Sequence, residues 1–128
     1  MTTSYRVNGT IDFETVLENS ETASGTMAIT PEMLNPFGTV HAGALVWFAD
    51  VVATTLALQG NAAALDMDKF PVAVTLNVQL LSNRQSGTLK ATATWVKRGR
   101  RISTIRTVVC DEGGSILLDF TSTHVSAR

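Results

Sequence analysis

Residues 35–54, NPFGTVHAGALVWFADVVAT, bring small and polar side chains together at a spacing suited to carbonyl chemistry. Ala42 and Gly43 open an apolar run. If a helix starts there, its first N–H groups have no intrahelical partners and carry the positive end of the helix dipole. Small side chains let a ligand approach those groups, and donors aimed in advance stabilise a developing oxyanion. Asn35 and His41, just upstream, can orient a carbonyl. Asp50 is the one charged residue of the run 42–58, and a carboxylate on an apolar surface is costly unless it is used or paired. Thr54 follows four residues later on the same helical face. Plainer readings stand beside these: a structural acid, small residues for close helix packing, a turn-stabilising Asn, a structural His, and a Thr bonded back to its own helix.

Helical geometry adds a constraint. Eight residues separate Ala42 from Asp50, about 12 Å at 1.5 Å per residue. Asp50 therefore cannot touch an atom bound at the N-terminus of its own helix. If both serve one site, two copies of the helix must lie antiparallel, each offering its N-terminus to the other's Asp50. That arrangement is a two-fold homodimer with two equivalent sites.

The elements that must hold this segment are legible from periodicity. Residues 11–17 and 25–29 read as a strand pair around the turn-forming Glu18, Asn19 and Ser20. Pro31 to Leu34 suits one helical turn with Thr30 as its cap, and Asn35 to Gly38 is a loop. The run 42–58 is the one long helix, apolar nearly all round and so expected to be enclosed by other elements. Gln59, Gly60 and Asn61 can stop it. Residues 72–81 alternate as a strand, with Thr75, Asn77 and Gln79 on one side and Val74, Leu76, Val78 and Leu80 on the other. Residues 88–96, 102–110 and 115–125 are three further strands on short Gly-containing connections, expected as an antiparallel meander. The expected fold class is α+β: five or six antiparallel strands wrapped around one central helix, in a single domain over 1–128.

Composition narrows the function. Charged residues make up 16% and hydrophobic ones 45% of the 128 residues, against about 25% charged in an ordinary soluble domain. That deficit points to surface hidden in an oligomer. A net charge of −1 gives no electrostatic reason to bind nucleic acid. One Cys and two His exclude a Cys/His zinc site within one chain, and no metal or cofactor is expected. Cys110 alone forms no intrachain disulfide and fits a reducing compartment. The N-terminal MTTSYRVNGTIDFETV has no apolar signal region, so a cytoplasmic protein is expected. The run 42–58 is short for a membrane span and carries Asp50 near its middle, so no membrane partner is expected. Four of the ten basic residues fall at Lys97, Arg98, Arg100 and Arg101, around Gly99. This run is either a solvated hairpin tip or a clamp for phosphate.

Residues 35–50 follow N-P-x-G-x-x-H-[A/G]-G-x-x-x-x-x-x-D. This run resembles the motif of hotdog-fold acyl-CoA thioesterases, the PaaI-like and 4-hydroxybenzoyl-CoA thioesterase superfamily. V-x-V-x-L-N at 72–77 and G-R-R at 99–101 extend the likeness over nearly the whole chain. The resemblance implies hydrolysis of an acyl- or aroyl-CoA, phenylacetyl- or hydroxybenzoyl-like, with coenzyme A present as part of the substrate. It implies Asp50 as general base or nucleophile, the Ala42 N–H (with Gly43 beside it) on the thioester carbonyl, and Asn35 near the carbonyl or water. It implies Thr54 positioning the acid and His41 as an orienting group. Arg98, Gly99, Arg100 and Arg101 would contact CoA. It also implies the antiparallel helix pair and a homotetramer built as a dimer of dimers. Two positions depart from the pattern. Ala42 replaces a Gly, and Ala73 stands where some relatives carry a water-holding Ser, a task that Thr75 or Asn77 would have to take if they face the site. These departures motivate an alternative, a non-catalytic binder of acyl-CoA or aromatic ligands on the same fold. A hotdog dehydratase is disfavoured, because His41 and His124 do not sit in its motif.

Overall fold

In the computed structural model, which describes residues 6, 9–61 and 70–126, six antiparallel strands form one sheet. They are β1 (Glu14–Asn19), β2 (Thr22–Ala28), β3 (Pro71–Leu80), β4 (Thr88–Lys97), β5 (Ile102–Cys110) and β6 (Ile116–Ser126). Their order is β1-β2-β4-β5-β6-β3. The meander expected of the last three strands is present, and β3 closes back onto β6 as an edge strand. One helix, α1 (Ala42–Leu58), packs against every strand.

The helix buries Ala44, Leu45, Phe48, Ala49, Val52, Ala53 and Leu56, a three-and-four spacing that puts one face on the sheet. Each large side chain of that set contributes about 1.5–3 kcal/mol by leaving water. The helix ends as the Gln59-Gly60-Asn61 run suggests. Gln59 takes a left-handed φ of 51° and Gly60 one of 85°. The side-chain amides of Gln59 and Asn61 donate to the carbonyls of Leu56 and Leu58, which also accept from the backbone N–H groups of the same two residues.

The first hairpin is shifted from the expected one: β1 starts at Glu14 rather than at residue 11 and includes Glu18 and Asn19, the turn falls at Ser20 and Glu21, and β2 starts at Thr22 rather than at residue 25. Small Ala and Ser residues hide the strand from a propensity reading, but Ala23, Gly25 and Met27 alternate inward beneath α1. Gly25 is required there: a Cβ would stand 2.5 Å from Val52 Cγ2 and 2.8 Å from Phe48 Cε1. Gly25→Ala is expected to destabilise the fold by about 1–3 kcal/mol through overpacking, measured as a lowered midpoint of urea unfolding.

One expectation needs correction. α1 is not enclosed by its own chain. Gly43 is exposed, Trp47 is 49% exposed, and Asp50 and Thr54 are half-buried. The edge strand β3 beside it is also open, with Val74 at 54% and Leu76 at 49% exposure. An apolar helix flank next to a ten-residue apolar edge strand is a surface that proteins normally cover. Among the described residues no helix is long and apolar enough to cross a membrane.

Candidate active site

The loop before α1 is built by Asn35. Its Oδ1 accepts from the N–H groups of Phe37 at 2.9 Å and Thr39 at 3.1 Å, and its Nδ2 donates to Thr39 Oγ1 at 3.0 Å. The side chain is thus a loop staple, leaving one amide N–H for a ligand. Val40 is tied to the 83–84 segment through Asn83, which accepts from its N–H and donates to its carbonyl. These bonds fix the angle at which α1 starts.

His41 is the residue before the first turn. Its N–H donates to the Met33 carbonyl, and its own carbonyl accepts from Ala44 and Leu45. Its exposed ring makes no capping bond. The N–H groups of Ala42 and Gly43 are therefore left for other acceptors. A Cβ placed on Gly43 would meet nothing within 4 Å, so packing inside the chain does not explain the small residue. The space in front is a cavity of about 450 Å³ lined by Ile11, Met33, His41, Gly43 and Ala44, among others.

Two turns along lies Asp50, half-buried. Its Oδ1 is buried and has no hydrogen-bond partner among the described residues. Burial pushes its carboxyl above the ordinary value of 3.8, and His124 on β6 pulls it partly back. Thr54 lies one turn further, half-buried. The back-bond considered for Thr54 is made instead by its neighbour: Thr55 Oγ1 donates to the Val51 carbonyl at 2.8 Å. The aromatic side chains separate clearly. Phe48 is core, Phe37 is 88% exposed, and Trp47 meets Phe13 edge-on at 5.1 Å.

Strand register corrects another expectation. Thr75, Asn77 and Gln79 pair with Thr123, Thr121 and Asp119. Opposed residues share a face, and beyond Leu117 at its start the buried residues of β6 are Leu118, Phe120, Ser122 and His124. Thr75 and Asn77 therefore stand on the face turned away from α1 and Asp50. A bulge between Ala73 and Thr75 leaves Ala73 on the inner face, opposite His124.

The basic run lies at the β4–β5 hairpin. Gly99 permits a close approach, since a Cβ there would fall on the Ile102 carbonyl. Its N–H donates to Ser103 Oγ at 3.1 Å. Arg98 lies 4.9 Å over the Trp95 ring, whose Nε1 donates to the Ser20 carbonyl. Arg98, Gly99, Arg100 and Arg101 border a cavity of about 220 Å³ with Trp95 and His124. None of these arginines forms an ion pair among the described residues.

The motif reading takes His124 only as a histidine outside the dehydratase motif and does not include Ser122. The signal was available: Leu118, Phe120, Ser122 and His124 keep one period-two phase, so two polar residues continue an inward-facing apolar row.

A six-stranded antiparallel sheet around one helix defines a hotdog fold. The profile of the thioesterase superfamily matches residues 37–117, which span α1 with its acid and strands β3, β4 and β5. The chain belongs to the thioesterase superfamily and, by that membership, to the thioester hydrolases. It is similar in structure to a thioesterase from Haemophilus influenzae (TM-score 0.77, 22% identity, 88% of this chain and 76% of the other). It is also similar to the PaaI protein of the phenylacetic acid degradation operon of E. coli (0.79, 19%, 91% and 80%). A third similar structure is a hypothetical thioesterase from Streptococcus pneumoniae with coenzyme A (0.78, 15%, 91% and 89%). No curated protein matches the chain.

Proposed function

We propose that this protein hydrolyses acyl- or aroyl-CoA thioesters in sites shared between two antiparallel copies. The observation that carries the reading is Asp50: a half-buried acid whose Oδ1 lacks a partner, on a helix flank its own chain leaves open. The thioester carbonyl binds at the Ala42 and Gly43 N–H groups of one copy. Asp50 of the other takes a proton from water, whose oxygen bonds to the thioester carbon. The C–S bond then breaks, and the proton passes to the thiolate, giving free acid and CoA. The open β3 edge and the exposed flank of α1 support the dimer, and a dimer of dimers is the expected assembly. Thr54 steadies the acid, and Asn35 offers its remaining N–H near the carbonyl.

The arginines of the 98–101 hairpin would bind the phosphates of CoA, where charge-assisted bonds add to affinity. Arg100→Gln with Arg101→Gln is expected to raise KM for a CoA ester about tenfold at low salt. It should leave kcat, and KM for the matching acyl-pantetheine, near parent values in steady-state assays.

A panel of CoA esters with thiol release as the readout tests the activity. Thermal stabilisation by those esters without thiol release would favour the alternative, a non-catalytic binder. Size-exclusion chromatography showing an active 13.7 kDa species would defeat the shared site.

A further inference from the structure

Beneath Asp50 the sheet carries an unusual polar patch. His124 on β6 is 2% exposed, and Ser122 beside it is fully buried. Their side chains are joined, Ser122 Oγ to His124 Nε2, at 2.8 Å. The Pro71 carbonyl lies near the ring, yet no hydrogen bond of normal geometry reaches Nδ1. So two buried polar atoms lack partners here, His124 Nδ1 and Asp50 Oδ1, on side chains close enough for their charges to interact. Buried polar atoms are nearly always bonded, and exceptions require an explanation.

The surroundings identify one. From β3, the residue opposite His124 is Ala73, which supplies no hydroxyl to hold water. From β5, the opposite residue is Ser103, occupied with Gly99. Asp50 on α1 is the charged group whose field reaches the ring, and Arg98, Arg100 and Arg101 border the same cavity as His124. Burial holds the ring below its ordinary pKa of 6.5, so at neutral pH it is neutral. With the Ser122 hydroxyl donating to Nε2, the ring proton sits on Nδ1 and makes it a donor.

We propose that His124, oriented by Ser122, is a positioning residue for hydrolysis: through a bridging water its Nδ1–H steadies the Asp50 carboxylate, where Ala73 offers no hydroxyl. The proposal rests on the thioesterase reading given above. It adds a group from the last strand to a site otherwise made from the helix and its preceding loop.

Two substitutions separate the ring nitrogens. His124→Asn keeps an amide near the place of Nδ1, whereas His124→Gln moves it to that of Nε2. His124→Gln is expected to lower kcat about a hundredfold, the scale of a misplaced reacting group, with KM near the parent value. Its acidic limb of kcat against pH should move upward, because Asp50 loses a donor. His124→Asn should stay within about threefold of the parent, on the same scale of positioning effects. Ser122→Ala should lower kcat about tenfold with the same direction of limb shift, which keeps the test valid if His124→Gln does not fold. Parent kcat and pH profile in His124→Gln or Ser122→Ala overturn the proposal. So does a His124→Asn protein with a normal unfolding midpoint that is as slow as His124→Gln. A parent enzyme that releases no thiol from any CoA ester is a separate result, which overturns the thioesterase reading and the proposal with it.

Discussion

Replacing Asp50 with Asn is expected to reduce thioester turnover about a thousandfold, the scale of a lost general base, while making the protein harder to unfold at neutral pH. The two effects share one cause. The Asp50 carboxyl is held above 3.8 by burial, so the folded state binds its proton more tightly than the unfolded chain does. Between the unfolded and folded pKa values the native state holds more protons, and stability falls as pH rises through that window. Above it the fold carries an ionised carboxylate with an unpartnered oxygen, and Asn removes that charge. Stability is set against activity at such sites. Unfolding temperatures of parent and Asp50→Asn should therefore coincide below about pH 3.5, with both carboxyl states neutral, and diverge as pH rises, the variant being the more stable. A variant less stable than the parent at pH 7 would mean that the carboxylate is paired in the assembly. Retained turnover would remove Asp50 from the mechanism.

Mixing two inactive variants is expected to restore activity. Gly43→Glu places a carboxylate at the start of α1, into space that is open in the chain. A negative charge there favours the helix but repels a developing oxyanion, and loss of such donors slows acyl transfer about 10²–10³-fold. Alone, Gly43→Glu and Asp50→Asn spoil both sites of every dimer. In a heterodimer, one site combines the intact N-terminus of the Asp50→Asn chain with the intact Asp50 of its partner, and the other combines both lesions. Random co-refolding makes half the dimers mixed, each with one working site, so about a quarter of parent activity should return by two-fold symmetry. The readout is thiol release before and after denaturing and refolding the mixture. No recovery, with dimers present by size-exclusion chromatography, would show that each chain completes its own site, contrary to the rise of 1.5 Å per residue along α1.

The helix and its neighbouring chemistry were legible because they are local. Ala42 to Leu58 carries a nearly unbroken apolar run stopped by Gln59 and Gly60, and its bounds agree with the structure. Strands β4, β5 and β6 were legible by alternation between Gly-containing turns. The start of β2 differs by three residues from the expected one, because Ala23, Ser24 and Gly25 lack the β-branched or aromatic side chains that mark a strand. Tertiary packing selects a small residue at Gly25, where a Cβ would collide with Phe48 and Val52.

The sequence by itself determined the fold class, the position of the acid, and the distance that separates it from the helix N-terminus. These follow from chain-local periodicity and rise per residue. Which side chains share a face with Asp50 was decided by the tertiary structure alone. A single bulge at residues 73–75 turns Thr75 and Asn77 to the far side and leaves Ala73 opposite His124. Register has a period of two, so one extra residue reverses every side chain beyond it. No local pattern at Val72 to Leu80 announces that residue. His124, seventy-four positions after Asp50 in sequence, likewise enters the site only because β6 is laid beneath the helix by the closing of the sheet.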